Sequence, residues 1–210
     1  MTYLELVNKV LVRLRENEVA TVNENAYSKL IGAYVSDAKR SVENAWDWTG
    51  LRNTLTVATQ ANVFNYVLTD KDNTIKILDA TNDSQNSFLS YKTSRWFDNA
   101  FLDFESVPKG TTSFYSFNGI NGVDLYPIPD KEYTLRFNVV LRTSDFVNDT
   151  DRLDVPYNPV IRLALALAAR ERGETGGTSA AELFGLADSS LADAIAMDVA
   201  LHPEETIWYS

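Results

Sequence analysis

The sequence predicts an α+β protein in which N- and C-terminal helices form a helical bundle and the middle of the chain forms an inserted antiparallel β-sandwich or barrel-like domain. Apolar residues recur every three or four positions near both ends, as on one face of a helix. The middle instead contains short segments rich in Thr, Val, Tyr and Phe between Asn, Asp and Gly clusters. We expect a helical hairpin over residues 1–50, a β-rich domain over 51–147, and acidic helices with a tail over 148–210 that pack with the hairpin.

Two helices are predicted in the first 50 residues. The first covers residues 2–15, with Thr2 as N-cap and Glu5 completing a capping box. The second covers residues 25–47, and the short connection between the two favours an antiparallel hairpin. Trp46 and Trp48 close the second helix. Such a pair could stack on a sugar or a base, but large aromatic residues at a helix end more often anchor a core, and we favour that interpretation.

The middle of the chain is predicted to be a set of short strands with short links. Candidate strands cover residues 53–59, 62–69, 74–80, 88–92, 112–117, 123–127 and 133–142, and a brief helix is expected over 94–102. Residues 118–122 (NGING) predict a tight hairpin link, since Asn and Gly tolerate positive φ. This pattern is typical of an antiparallel sandwich or open barrel.

A polar connector over residues 143–156 leads to two C-terminal helices. Its acids could suggest a calcium site, but the Gly and Glu of an EF-hand loop are missing from the required offsets, so we favour a solvated linker. Pro159 is suited to the first turn of a helix that runs to about Arg172. Gly173 and Thr178 are then expected to end that helix and begin the last one, which Pro203 terminates.

The composition excludes most catalytic and metal chemistry. The chain has no Cys and a single His, His202, so disulfides, thiolate sites, multi-histidine metal sites and the usual Ser-His-Asp arrangement lack their residues. His202 is interpreted as a polar residue that ends a helix. No signal peptide or membrane-spanning segment is apparent. We therefore expect a protein that is not an enzyme, with no cofactor, no metal and no membrane association.

The negative charge is concentrated at the C-terminal end. The net charge is −10, and residues 148–210 contain 4 basic and 11 acidic side chains. This balance argues against a protein that grips nucleic acid by neutralising phosphates, although it allows one that guides DNA by repulsion.

The last residues combine acidic and apolar side chains. Ile207, Trp208 and Tyr209 directly follow the pair Glu204 and Glu205 at a terminus that would otherwise be expected to fray. These apolar residues either fold back on the core or dock on a partner, since Trp and Tyr are frequent interface anchors. The sequence leaves both possibilities open.

Four segments together resemble the head-to-tail adaptor proteins of tailed bacteriophages, the family that includes tail tubular protein A of short-tailed phages. They are residues 3–15 (YLELVNKVLVRLR), 37–48 (DAKRSVENAWDW), 125–130 (LYPIPD) and 165–174 (LALAARERGE). Each segment is a general helix or turn pattern, and the likeness comes from their order over nearly the whole chain.

The resemblance implies a structural virion protein in the neck between capsid and tail, assembled in the host cytoplasm. It implies a ring of twelve copies seated between the portal protein and a tail nozzle or tail tube protein, with tail fibres as a further partner. Double-stranded DNA would pass through without sequence-specific binding. The C-terminal segment would reach toward the portal and the β region would face the tail, which assigns portal binding to Glu204, Glu205, Ile207, Trp208 and Tyr209.

Two alternatives rest on other residues. A carbohydrate-binding or tail-fibre accessory module would use aromatic residues of the β region, namely Tyr91, Trp96, Tyr115 and Tyr126. A hydrolase with paired carboxylates ranks last, because no spacing isolates such a pair among the 29 acids.

Overall fold

The computed structural model describes residues 1–102, 107–119, 121–173 and 180–202. The chain divides into two compact units, one made of Met1–Leu51 and Asp145–Ser210 and the other of Arg52–Ser144. Among the described residues, the first unit contains four α-helices and a short 3-10 helix at Thr49–Leu51. The second contains the strands and one short α-helix, which makes the protein α+β as predicted. In the described part of the chain, no helix is long and apolar enough to cross a membrane.

Both N-terminal helices begin with a capping box, and the one at Thr2 was predicted. Helix α1 covers Tyr3–Arg13, where the Thr2 hydroxyl accepts a hydrogen bond from the Glu5 N–H and the Glu5 carboxylate accepts one from the Thr2 N–H. Helix α2 covers Ala26–Ala45 and begins at Asn25, which forms the same reciprocal pair with Ser28. The apolar stripe of α1 is buried, so the helical period read from the sequence corresponds to a packed face.

Helix α4 is the central helix of this unit. It covers Tyr157–Arg172 and packs against α1, α2 and the last helix, α5, which covers Ala180–Val199. Alanines of α4 are fully or almost fully buried, and their small side chains allow its neighbours to approach closely. Gly173 ends α4 in the left-handed region at φ 64°, as predicted for a C-cap glycine. The predicted N-cap Thr178 lies outside the described residues.

The acidic connector is solvent-exposed over most of its length, as predicted for a solvated linker, and from Asp145 onward it is also part of the helical unit. The Asp151 carboxylate accepts hydrogen bonds from the Asn148 and Val147 N–H groups, each at 2.8 Å, and these bonds lower the pKa of Asp151. Asp149 accepts one from the Val22 N–H at 3.3 Å. Backbone hydrogen bonds also join residues 149–153 to residues 1–4. The backbone bonds therefore hold the connector against the start of α1, and the Asp151 carboxylate orders the connector itself.

The second unit contains two four-stranded sheets. One has the order β1-β8-β3-β4 and the other β2-β7-β6-β5, and all pairs are antiparallel except β5 with β6. The strands are β1 Arg52–Ala58, β2 Asn65–Val67, β3 Thr74–Asn82, β4 Ser87–Phe88, β5 Ser90–Tyr91, β6 Phe114–Asn118, β7 Gly122–Tyr126 and β8 Thr134–Arg142. Neither sheet is closed on itself, so the barrel version of the prediction is not found. Strands β6 and β7 form the predicted hairpin, with Gly119 and Asn121 at positive φ.

The strand predicted over residues 88–92 is divided between the two sheets. Strand β4 pairs with β3, whereas β5 pairs with β6. Leu89 lies between them with its side chain buried, and its N–H donates to the Ala80 carbonyl at 2.8 Å. Side chains from both sheets share one buried cluster, which includes Val123, Leu125, Leu135 and Phe137.

Helix α3 covers Ser94–Leu102, as predicted. Its Phe97 is buried, and Trp96 packs edge-on against Tyr126 with ring centroids 5.4 Å apart. The aromatic residues of this helix therefore serve mainly to attach it to the second sheet.

Candidate functional site

Helix α5 has the fewest buried residues of the four α-helices described in the helical unit. Among its 20 residues only Ala187 is buried, although the helix is rich in Ala and Leu. Leu186, Met197 and the adjoining Leu201 are respectively 48%, 75% and 66% exposed. Apolar side chains clustered at a surface in this way mark a site of interaction.

These exposed side chains line a groove between α4 and α5, which we call the α4–α5 groove. Its volume is about 700 Å³, and its walls come from residues within 156–162 and 186–201. The apolar wall residues include Tyr157, Leu186, Met197 and Leu201. A smaller hollow of about 220 Å³ extends it and shares Leu186 and Arg162 with it.

Two arginines border the groove. Arg162 lines both hollows, and Arg13 lines the smaller one. Neither guanidinium has an ion pair with any residue that the structure describes. Asp193 and Asp198 also line the α4–α5 groove, so its apolar wall residues are combined with charges of both signs.

The C-terminal end of α5 is attached to the end of α2. The Asp198 carboxylate accepts hydrogen bonds from Trp46 Nε1 and from the Thr49 N–H, both at 3.1 Å. His202 Nε2 lies 2.8 Å from Thr49 Oγ1. These contacts hold the C-terminal end of α5 and the adjoining His202 against residues 46–49.

The sequence did not predict this attachment. The prediction that both tryptophans pack in the core is confirmed for Trp48 and wrong for Trp46. Trp48 is a core residue as predicted, 1% exposed, and its Nε1 donates to the Val42 carbonyl at 2.7 Å. Trp46 is 38% exposed because its indole reaches out to Asp198. His202 does follow the end of α5, and it also contacts Thr49. No sequence signal links Asp198 or His202 to residues about 150 positions earlier.

The charge of α5 is entirely negative. Its charged residues are Glu182, Asp188, Asp193 and Asp198, and it contains no Lys or Arg. Asp188 and Asp193 are exposed. In the part of the chain that the structure describes, no group of three or more His, Cys, Asp or Glu side chains is arranged to hold a metal ion.

The predicted portal-binding residues Glu204, Glu205, Ile207, Trp208 and Tyr209 all lie outside the described residues. The last described residue before them is His202.

The aromatic residues proposed for carbohydrate binding do not form an exposed platform. Tyr115 and Tyr126 are buried, at 7% and 9% exposure, and Trp96 packs against Phe114 and Tyr126. Of the four, only Tyr91 is substantially exposed, at 52%.

Comparison with known proteins identifies the family. No curated protein matches the sequence significantly. The model of the SU10 adaptor protein family matches residues 1–204, which is nearly the whole chain, and this match confirms the resemblance to phage adaptors. The chain therefore belongs to the SU10 adaptor protein family, a phage adaptor family, and is a structural component of the virion neck with partners at the head-to-tail junction.

Proposed function

We propose that this protein is the subunit of a ring of twelve copies that joins the portal protein to a tail nozzle or tail tube protein and leaves a channel through which DNA passes during ejection. Tail fibres are a further partner in this proposal, and assembly takes place in the host cytoplasm. The protein acts as a structural part and not as an enzyme, in the manner of tail tubular protein A. The family membership supports a role at the junction, and the surface of α5 supports the ring.

The observation that carries the ring proposal is one face of α5 that has only small side chains. Ala181, Gly185, Ser189, Ala192 and Ala196 are all exposed, and their spacing of three or four residues places them along one side of the helix. Small side chains let a neighbouring helix approach closely, because helix separation depends on the side chains at the contact. We assign this face, the small-residue face, to the contact between neighbouring subunits.

The charge of α5 supports a channel for DNA. Asp188 and Asp193 are exposed at the two edges of the small-residue face, one helical turn from Ala192 and Ala196 respectively. A helix that contacts its neighbour through the small-residue face can direct one of these edges, with its carboxylate, toward the lumen. An acidic wall repels phosphates, so that the duplex slides instead of binding.

The portal contact is assigned to the end of the chain. Glu204, Glu205, Ile207, Trp208 and Tyr209 supply the aromatic anchors and the charges that a protein interface uses. The attachment of His202 to Thr49 supports this assignment, since it gives the segment a fixed origin.

The ring proposal is tested with a pair of matched variants. Ala192→Arg places a bulky cation on the small-residue face, and Ala33→Arg makes the same change at an exposed alanine of α2. Native mass spectrometry measures subunit number for each protein alone and after addition of the portal. We expect wild type and Ala33→Arg to form the ring, and Ala192→Arg to stay monomeric with an unchanged circular dichroism spectrum. Ring formation by Ala192→Arg at the wild-type level would refute the assigned contact.

A further inference from the structure

Strand β1 is a free edge of the first sheet. It is the end strand in the order β1-β8-β3-β4, and it pairs with β8 over all seven of its residues without a bulge. Just after β1, the Thr59 N–H donates to the Tyr133 carbonyl at 2.9 Å, so Thr59 faces β8. Because successive residues of a strand point their backbone groups to opposite sides, Thr54, Thr56 and Ala58 direct theirs away from β8.

The free part of this edge is short and has defined limits. The Thr54 N–H donates to the Asn53 side chain at 2.7 Å, and the Gln60 N–H donates to the Tyr66 hydroxyl at 2.8 Å. Between these two positions lies the free window, residues 56–58. Its two outward N–H groups and two outward C=O groups have no hydrogen-bond partner among the residues that the structure describes. The two residues that carry them are exposed, so a strand from outside can reach them.

The sequence of β1 lacks the features that usually protect an edge strand. Such strands are usually very short, or contain Lys, Pro or a bulge. The other edge strands of the two described sheets are short, with three residues in β2 and two each in β4 and β5. In contrast, β1 has seven residues (RNTLTVA), and its one charge, Arg52, lies at the end far from the free window. Strand β1 is therefore the described edge most suited to pairing with another strand.

The free window fits a second copy of β1. Antiparallel strands pair by exchanging N–H and C=O groups between opposite residues. If the second strand is related by a two-fold axis at Val57, Thr56 lies opposite the partner's Ala58, and Ala58 lies opposite the partner's Thr56. All the free backbone groups of both windows are then used, in four hydrogen bonds. The two Arg52 side chains would start about 34 Å apart at 3.4 Å per residue, so their charges do not oppose the pairing.

We propose that β1 pairs antiparallel with β1 of a second copy of this chain, about a two-fold axis at Val57. Leu55 and Val57 are partly buried and pack against the apolar cluster of the β unit, so the added strand would cover them further. A two-fold contact closes on itself and joins two subunits, whereas the proposed ring contact uses α5. The inference therefore does not depend on the ring. Because the pairing is smaller than a standard interface, we expect a dissociation constant above about 1 μM.

Engineered disulfides test the pairing, because a chain without Cys can form them only at the introduced positions. Val57→Cys places two sulfurs at the axis, where opposite Cα atoms of a non-hydrogen-bonded pair lie about 4.5 Å apart, within the range that a disulfide spans. The matched control is Thr54→Cys, on the same strand. Residue 54 is more exposed than residue 57, but its two copies would lie about 20 Å apart. Random collisions therefore favour the control, and the proposed pairing favours Val57→Cys.

Both full-length variants are oxidised in a glutathione buffer at a protein concentration above the expected dissociation constant. Non-reducing electrophoresis measures the rate of dimer formation, which we expect to be at least about tenfold faster for Val57→Cys than for Thr54→Cys, since pairing holds the two thiols together. Adding Thr56→Pro to Val57→Cys should reduce its rate to that of the control. Proline at this position removes an outward N–H and no bond to β8, so the circular dichroism spectrum should be unchanged.

Sedimentation equilibrium measures the same pairing without cysteines. Wild type should form dimers as its concentration rises. Thr56→Pro should raise the dissociation constant at least about tenfold, because it removes two of the four hydrogen bonds.

Equal rates for Val57→Cys and Thr54→Cys, or a faster rate for Thr54→Cys, would overturn the proposal, as would no effect of Thr56→Pro. A wild type that stays monomeric at every concentration, together with a Thr56→Pro variant that fails to bind other neck proteins, would also overturn it. That result would assign the edge to a strand of another protein. None of these outcomes bears on whether a ring forms with the portal, so the two proposals fail separately.

Discussion

The two glycines inside helices α2 and α5 should respond in opposite directions to the same substitution. Replacing glycine by alanine within a helix gains about 1 kcal/mol from helix propensity, provided that the new methyl group meets no obstacle. At Gly185 a Cβ would have no heavy atom within 4 Å, so the full gain applies. We expect Gly185→Ala to raise the free energy of unfolding by about 1 kcal/mol and Tm by about 2–4 °C.

Gly32 is the opposite case, because α1 and the α1–α2 connection approach it closely. A Cβ at Gly32 would lie 2.7 Å from Val22 Cγ1 and closer still to the hydroxyl of Tyr3. Val22 and Tyr3 are both buried, so neither can move without disturbing its own packing. Overpacking of this kind costs about 1–3 kcal/mol, which exceeds or cancels the propensity gain. We expect Gly32→Ala to lower the free energy of unfolding by up to about 2 kcal/mol.

Thermal and urea unfolding followed by far-UV circular dichroism measure both variants against wild type. The sign of each change is the informative result, since both variants make the same chemical substitution within a helix. A loss of stability in Gly185→Ala, or a gain in Gly32→Ala comparable to that expected at Gly185, would refute the packing described for these two positions.

Three further substitutions test the helical unit. Lys39 and Glu43 form a buried ion pair at 3.3 Å with side chains 3% and 4% exposed, so Lys39→Met alone should cost about 3–5 kcal/mol, and adding Glu43→Leu should restore most of it, as measured by urea unfolding. Trp48→Phe should cost about 1–3 kcal/mol in the same assay, because it removes the hydrogen bond to the Val42 carbonyl and leaves space in the core. The pKa of Asp151 is lowered in the folded protein, so its stabilising effect is present above its ordinary pKa of 3.8 and is lost as the pH falls through the folded pKa. Asp151→Asn should therefore lower Tm at pH 7 and flatten the acid side of the plot of Tm against pH, and an unchanged profile would contradict the role of the Asp151 carboxylate.

Local signals predicted the elements well, and long-range contacts account for what was missed. The caps at Thr2, Asn25 and Gly173 depend on residues within four positions, so a sequence pattern contains them. The division of residues 88–92 between two sheets depends on which strands happen to be neighbours, and period-two alternation carries no such information.

The same distinction applies to the candidate site. The apolar and acidic composition of α5 was evident from the sequence, but its lack of burial was not, because a stripe of Ala and Leu has the same pattern on a buried helix and on an exposed one. The contacts of Asp198 and His202 with Trp46 and Thr49 join residues about 150 positions apart. Only the tertiary arrangement brings these side chains together.

The discontinuous helical unit has a consequence for how the chain folds during synthesis. The start of α4 at Tyr157 is 112 positions after the end of α2 at Ala45, and the residues that hold the N-terminus in place, 149–153, also come late. At translation rates of about 5–20 residues per second, α1 and α2 wait roughly 5–20 s for the helix that covers them, while the whole of Arg52–Ser144 emerges in between. The β unit can therefore complete its fold on the ribosome while the apolar face of α1, with Leu6 and Val10, still lacks α4.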